Sequence, residues 1–153
     1  MKVLFLDFDG VLHSTDAGKV EYHGSEIRHS GEWLFSRLYL LEELLTRCPD
    51  VMVVISSSWQ FHYPLSLLAE FLGDCEPRVV GTTKDLIERL DPLATRYDDC
   101  QAAAKALAAD TWVMVDDQPS LVWGSHIPSP EEIARVVFCD PVLGLTPMVI
   151  DIL

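Results

Sequence analysis

The sequence predicts an α/β fold in which a parallel sheet is sandwiched by helices. Apolar runs recur between stretches of helical periodicity, and the runs are continuous rather than alternating, as in strands covered on both faces. The 153 residues are enough for one domain that buries about two-thirds of its unfolded surface, so no metal or disulfide is required to hold it together.

The first run, "VLFL" at residues 3–6, ends at Asp7 and Asp9. Residues 13–31 are polar and punctuated by glycine, a connection expected to form a flap or small hairpin. Leu34, Leu38, Leu41 and Leu45 then step by four, three and four, which lines one face of a helix over 33–47. Pro49 and Asp50 stop it before the second strand, "VMVVI" at 51–55. A helix is expected at 64–72, a weak strand at 78–80 ("RVV") and an Ala-rich helix at 97–108. The next strands are "TWVMV" at 111–115 and "RVVFC" at 135–139, separated by "SPEE" at 129–132. That tetrapeptide carries the Ser cap, first-turn Pro and Glu of a capping box. Strands and helices alternate throughout, with no repeat, low-complexity tract or linker, so a single domain over 1–153 is expected.

Composition narrows the classes. Asp and Glu number 24 against 11 Lys and Arg, a formal charge of −13 with no basic cluster, which argues against nonspecific nucleic-acid binding by phosphate neutralisation. Cys48, Cys75, Cys100 and Cys139 lie far apart without a C-x-x-C, the pattern of reduced thiols rather than a zinc or redox site. The apolar N-terminal stretch is interrupted by Asp7 and Asp9 too early for a signal peptide, and no run reaches the ~18 apolar residues of a membrane span. A cytoplasmic protein is the expectation.

In an open parallel sheet, ligands bind beyond the carboxyl ends of the strands. Asp7, Asp9 and Gly10 follow the first strand, Ser56 to Trp59 the second, and Asp116 and Asp117 the strand at 111–115. A lone D-x-D or D-D after a strand is usually a turn or cap; their coincidence on different strands, with hydroxyls between, points to a site. Clustered carboxylates cannot all stay ionised unpartnered, and a hard divalent cation, most often Mg2+, is their natural partner. The histidines His13, His23, His29, His62 and His126 show no ligand spacing and read as surface or loop, His13 being the one placed to overlook the site. Trp112 reads as sheet core, Trp123 as core or entrance, and Trp59 as core or a neighbour of the substrate.

"LFLDFDGVL", "VVISSSW" and "VMVDD" resemble motifs I, II and IV of the haloacid dehalogenase (HAD) superfamily, mostly phosphatases. "DFDGVL", "ISSSW", "VDDQP" and "GLT" at 144–146 further resemble the small HAD domains of Swiss Army Knife RNA repair proteins. The resemblance implies a Rossmann-like, HAD-like sheet and a Mg2+-dependent phosphohydrolase working through an aspartyl-phosphate. Asp7 would be the nucleophile and Asp9 the general acid and base. Mg2+ would be held by Asp7, the Asp9 carbonyl and one of Asp116 and Asp117, with Asp117 the direct ligand and Asp116 orienting the basic residue. Gly10 would let the backbone turn beside the phosphate, and Ser56 or Ser57 of the serine run would bind it. The basic residue that offsets phosphate charge is Arg96, 20 residues before Asp116, or Lys84 in "GTTKD", with Lys105 a third candidate.

Neither the connection after the first motif nor that after the second is long enough for a large cap, so a minimal cap or none is expected. An open site suits a bulky phosphomonoester, whereas the charge of −13 opposes a polyanion; a nucleotide, a nucleic-acid end and a small phosphometabolite all fit. Two other readings compete. One is a HAD-fold binding module without turnover. The other is a receiver-like phospho-acceptor domain, in which the acceptor follows the middle strand, a region that here reads as Ser56 to Ser58.

Overall fold

The computed structural model describes residues 1–23, 26–29, 31–87 and 91–153, with the segments 20–23 and 26–29 described by backbone alone. Strands β1 (Lys2–Leu6), β4 (Val51–Ile55), β5 (Val79–Thr82), β6 (Thr111–Asp116) and β7 (Val136–Phe138) form one sheet in the order β5-β4-β1-β6-β7. Every pairing in it is parallel. Strands β2 (Val20–His23) and β3 (Glu26–His29) form an antiparallel pair within the polar connection, the expected hairpin. Gly24, Ser25 and Ser30 of that connection lie outside the described residues, as do the side chains of His23 and His29. The fold is the α/β, Rossmann-like arrangement that the sequence predicts.

The strands are apolar without interruption because helices cover both faces. Leu4, Leu6, Val53, Ile55 and Val115 join one buried cluster with Leu40, Leu41, Leu44 and Leu45 of α1 (Leu38–Arg47), Leu68 of α2 (Leu65–Glu70) and Ile150 of α7 (Pro147–Ile152). Val3, Phe5, Val54 and Met114 point the other way, onto Tyr97, Cys100, Ala103 and Ala104 of α4 (Arg96–Ala106) and Val122 of α5 (Pro119–Trp123). Each large aliphatic side chain so buried contributes about 1.5–3 kcal/mol. The short helices α3 (Thr83–Leu86) and α6 (Pro130–Ile133) complete the chain.

Several boundaries move. The helix expected over 33–47 begins at Leu38, because Phe35 has φ 58° and the Arg37 N–H is taken by the Leu12 carbonyl at 2.9 Å. A left-handed residue cannot sit inside a right-handed helix, and Leu34 is left largely exposed. The weak strand at 78–80 is the edge strand β5, the strand expected over 135–139 shortens to β7, and the helices expected at 64–72 and 97–108 become α2 and α4. The capping box at Ser129 and Glu132 forms as expected. Helix α7 was not expected, although Thr146 caps it and Pro147 opens it. All four cysteines are free. No helix among the described residues is long and apolar enough to cross a membrane.

Candidate active site

Three adjacent strands end at the same edge. The ladder is continued past their ends: Asp7 N–H donates to the Val115 carbonyl at 3.2 Å, Ser56 N–H to Leu6 at 2.9 Å, and Cys139 N–H to Asp116 at 2.8 Å. The backbone under each polar side chain is thereby fixed to the sheet. Asp7, Ser56, Ser57, Asp116 and Asp117 are all buried.

Arg96 binds this edge together. The capping box of Thr95 and Asp98 starts α4 and sets Arg96 in its first turn, where Nη1 donates to Asp7 Oδ2 and to Asp116 Oδ2, both at 2.6 Å. Burial works against the guanidinium charge, but the two carboxylates outweigh it and raise its pKa. Asp116 is fully used: its other oxygen accepts the Gln118 N–H at 2.8 Å. Asp7 Oδ1 accepts the Phe8 N–H at 2.8 Å. Burial pushes the Asp7 carboxyl above its ordinary range, with Arg96 opposing and Asp116 adding to the rise.

Asp117 is different. Its Oδ1 is buried without a hydrogen-bond partner, and burial, reinforced by Asp7 and Asp116, pushes its pKa up to about 6. One oxygen from each of Asp7, Asp116 and Asp117 lies within 4.8 Å of the others. A hard cation is what such an orphaned oxygen in an all-carboxylate set accommodates, so the residues fit Mg2+. Gly10 makes room for this arrangement at φ 68°. The other orphan is Ser56 Oγ, a hydroxyl held at the same edge. Ser57 instead caps the 3₁₀ turn at Ser58–Phe61, its Oγ accepting the Trp59 N–H at 3.4 Å.

The Asp9 side chain lies outside the three-carboxylate group. His13 Nε2 is 2.9 Å from its Oδ1, and Trp59 Nε1–H donates to its Oδ2 at 2.8 Å. The His13 bond draws its pKa down, burial opposes, and the Trp59 bond adds to the lowering. His13 is buried, not a surface residue, and overlooks the site as anticipated; His62 and His126 are exposed. Trp59 is half-buried among Phe8, Phe35, Tyr63 and Phe71, as the core reading expects, and reaches Asp9 with its Nε1–H.

Of the basic candidates, Arg96 is at the carboxylates. Lys84 donates from Nζ to the Gln60 carbonyl at 2.8 Å, beside the Phe61 ring. Gln60 was missed by the sequence reading: buried, it accepts from Thr83 Oγ1 at 3.0 Å and Lys84 N–H at 2.8 Å, tying the serine turn to α3. Nothing in "SSSWQ" marks that role. A cavity of about 190 Å³ beside Ser56 and Arg96 is walled by Ser58, Phe61, Thr83 and Leu121. A second, of about 260 Å³, opens at the other ends of the strands near Lys2, Val51 and Thr111, away from the acids. Trp112 is edge-on to Phe5 and Trp123 stacks on Tyr97, so both pack rather than line the site.

The family model describing the HAD domain in Swiss Army Knife RNA repair proteins matches residues 3–149. No curated protein and no solved structure matches the chain.

Proposed function

The chain belongs to the family of HAD domains found in Swiss Army Knife RNA repair proteins, and from that premise we propose that it is a Mg2+-dependent phosphohydrolase of phosphomonoesters, acting as one domain over 1–153. The observation that carries the reading is the pairing of orphans: Asp117 Oδ1 and Ser56 Oγ are buried and unpartnered beside an Asp7 already aligned by Arg96. A cation and a phosphate are the two ligands that would satisfy them.

Asp7 attacks phosphorus and the bond to the leaving oxygen breaks, that oxygen taking a proton from Asp9. Asp9 then removes a proton from water as the water oxygen attacks the aspartyl-phosphate, releasing inorganic phosphate and freeing Asp7. Ser56 donates to a phosphate oxygen, with Ser57 the neighbouring hydroxyl and Gly10 giving the backbone access. Arg96 offsets phosphate charge and keeps Asp7 in place through Asp116. Lys84, on α3 and bonded to the serine turn through the Gln60 carbonyl, is a more distant phosphate contact. Mg2+, held by Asp7, the Asp9 carbonyl and Asp117 with Asp116 behind, would neutralise charge on the transferring phosphoryl group. The substrate is a phosphorylated small molecule, a nucleotide or a nucleic-acid end. Release of phosphate from p-nitrophenyl phosphate, dependent on Mg2+ and abolished in Asp7→Asn, tests this; no release with Mg2+ and substrate both present refutes it.

A receiver-like acceptor is the second reading, and one observation favours it: β1 is the middle strand of the sheet in space, so Asp7, rather than Ser56, follows the central strand. Chain order concealed this, because the partners of β1 come later on both sides. An aspartyl-phosphate that forms once and persists, without turnover, would select that reading.

A further inference from the structure

Both carboxylate oxygens of Asp9 are held by ring N–H groups that come from different segments, His13 from the β1 loop and Trp59 from the turn after β4. His13 is itself oriented. The Phe35 N–H points at its Nδ1 at 3.2 Å, which requires a lone pair there and leaves the ring proton on Nε2, facing Asp9. Phe35 holds this N–H in place at φ 58°, a conformation that costs a bulky residue and persists only where surroundings demand it. His13 is 1% exposed and packs edge-on to Phe35. An apolar ring would fill that aromatic cluster without burying two nitrogens.

We infer that His13 and Trp59 are positioning residues that fix the plane of the Asp9 carboxyl, aiming its proton at the leaving oxygen and then, once that proton is given up, a lone pair at water. The inference rests on the phosphohydrolase reading. Asp9 is 41% exposed in its side chain, and an unrestrained carboxylate there would rotate freely into solvent. Trp59 follows the serine run directly, so the acid and the phosphate-binding hydroxyl are set by one turn. The clamp therefore matters most for substrates whose leaving oxygen must be protonated as the bond breaks, such as alkyl phosphates. It matters least for p-nitrophenyl phosphate, whose leaving phenolate is stable.

Two measurements test it. The first is kcat/KM, which reports the steps through departure of the leaving group, for His13→Phe and Trp59→Phe, each of which keeps a ring and removes the donor. Loss of about tenfold or more with an alkyl phosphomonoester against about threefold or less with p-nitrophenyl phosphate is expected, and His13→Gln, which restores an N–H, recovers most of it. Equal losses on both substrates, or none, overturn the inference. The second is independent of turnover: in 15N–1H spectra the His13 Nε2–H and Trp59 Nε1–H should be protected from exchange, and Asp9→Ala should remove that protection. Unprotected protons overturn the clamp whatever the activity. Protected protons in a protein that releases no phosphate show instead that the phosphohydrolase reading has failed, and the role of the clamp with it.

Discussion

Gly10 and Asp117 occupy space that only one side chain can fill: a Cβ on Gly10 would lie 2.3 Å from Asp117 Oδ2. Gly10→Ala therefore meets two penalties, a left-handed φ and a direct clash with the carboxylate whose other oxygen is unpartnered. It should destabilise by about 1–3 kcal/mol and abolish the thermal shift on adding millimolar Mg2+. Gly18 has a similar φ of 73°, but a Cβ there meets only Leu34, at 3.4 Å. Gly18→Ala should cost stability and keep the Mg2+ shift, and loss of the shift in both variants would disconnect Gly10 from the metal.

Arg96 is the partly buried cation that Asp7 and Asp116 share. Arg96→Ala leaves those acids facing one another, a loss of about 3–5 kcal/mol at neutral pH, measurable by urea denaturation. Turnover should fall with it, while Mg2+ should recover part of the stability, since a cation answers the same repulsion. Lys84→Ala should change stability by about 1 kcal/mol or less. If Lys84→Ala abolishes turnover and Arg96→Ala does not, the roles of the two residues are exchanged.

Without metal, stability should fall as pH rises through about 6. The Asp117 carboxyl is raised to about 6 from an ordinary value of 3.8, and that of Asp7 is raised as well. Between those limits the folded state holds more protons than the unfolded, so the slope of stability against pH is negative. Asp9, lowered by His13, acts with the opposite sign, its contribution being lost only as pH falls below the usual carboxylate range. Melting temperatures in EDTA from pH 4.5 to 7.5 should therefore decline, and saturating Mg2+ should flatten or reverse the decline. A rise in EDTA would contradict the assignment.

Asp7→Asn keeps the shape of the side chain and removes one of the crowded charges. The variant should fold and be no less stable than the parent without metal, yet show no turnover, because a neutral amide is a poor nucleophile. Beryllium fluoride, standing in for the phosphoryl group, should bind the parent and Asp9→Asn but not Asp7→Asn. Full activity in a folded Asp7→Asn protein would remove the aspartyl-phosphate from the mechanism.

The sheet and the acids were legible because each follows from a local rule. A strand covered on both faces is apolar at every position, as Val3 to Leu6 are, and a charge at its end marks the edge where ligands gather. The Ser129 capping box is similarly local. What was illegible depends on contacts between distant segments. The start of α1 is decided by the Leu12 carbonyl taking the Arg37 N–H, not by leucine spacing, so Leu34 misled. Gln60 and His13 take their partners from elements 20 or more residues away, at Thr83 and Phe35, and no spacing encodes such a partner. The central place of β1 is also tertiary, since chain order puts it at one end.

That central place has a consequence during synthesis. The strands that flank β1 are contributed by residues 51–55 and 111–116, so β1 has its second neighbour only after more than a hundred further residues have been made. At about 5–20 residues per second, Asp7 and Asp9 emerge seconds before Arg96, Asp116 and Asp117. A nascent chain stalled before residue 111 exposes one bare edge of β1 and carries Asp7 with no companion acid from β6. High contact order of this kind slows folding, and here it also keeps the acids of the candidate site apart: Asp7 has neither Asp116 nor Asp117 beside it until β6 has been made.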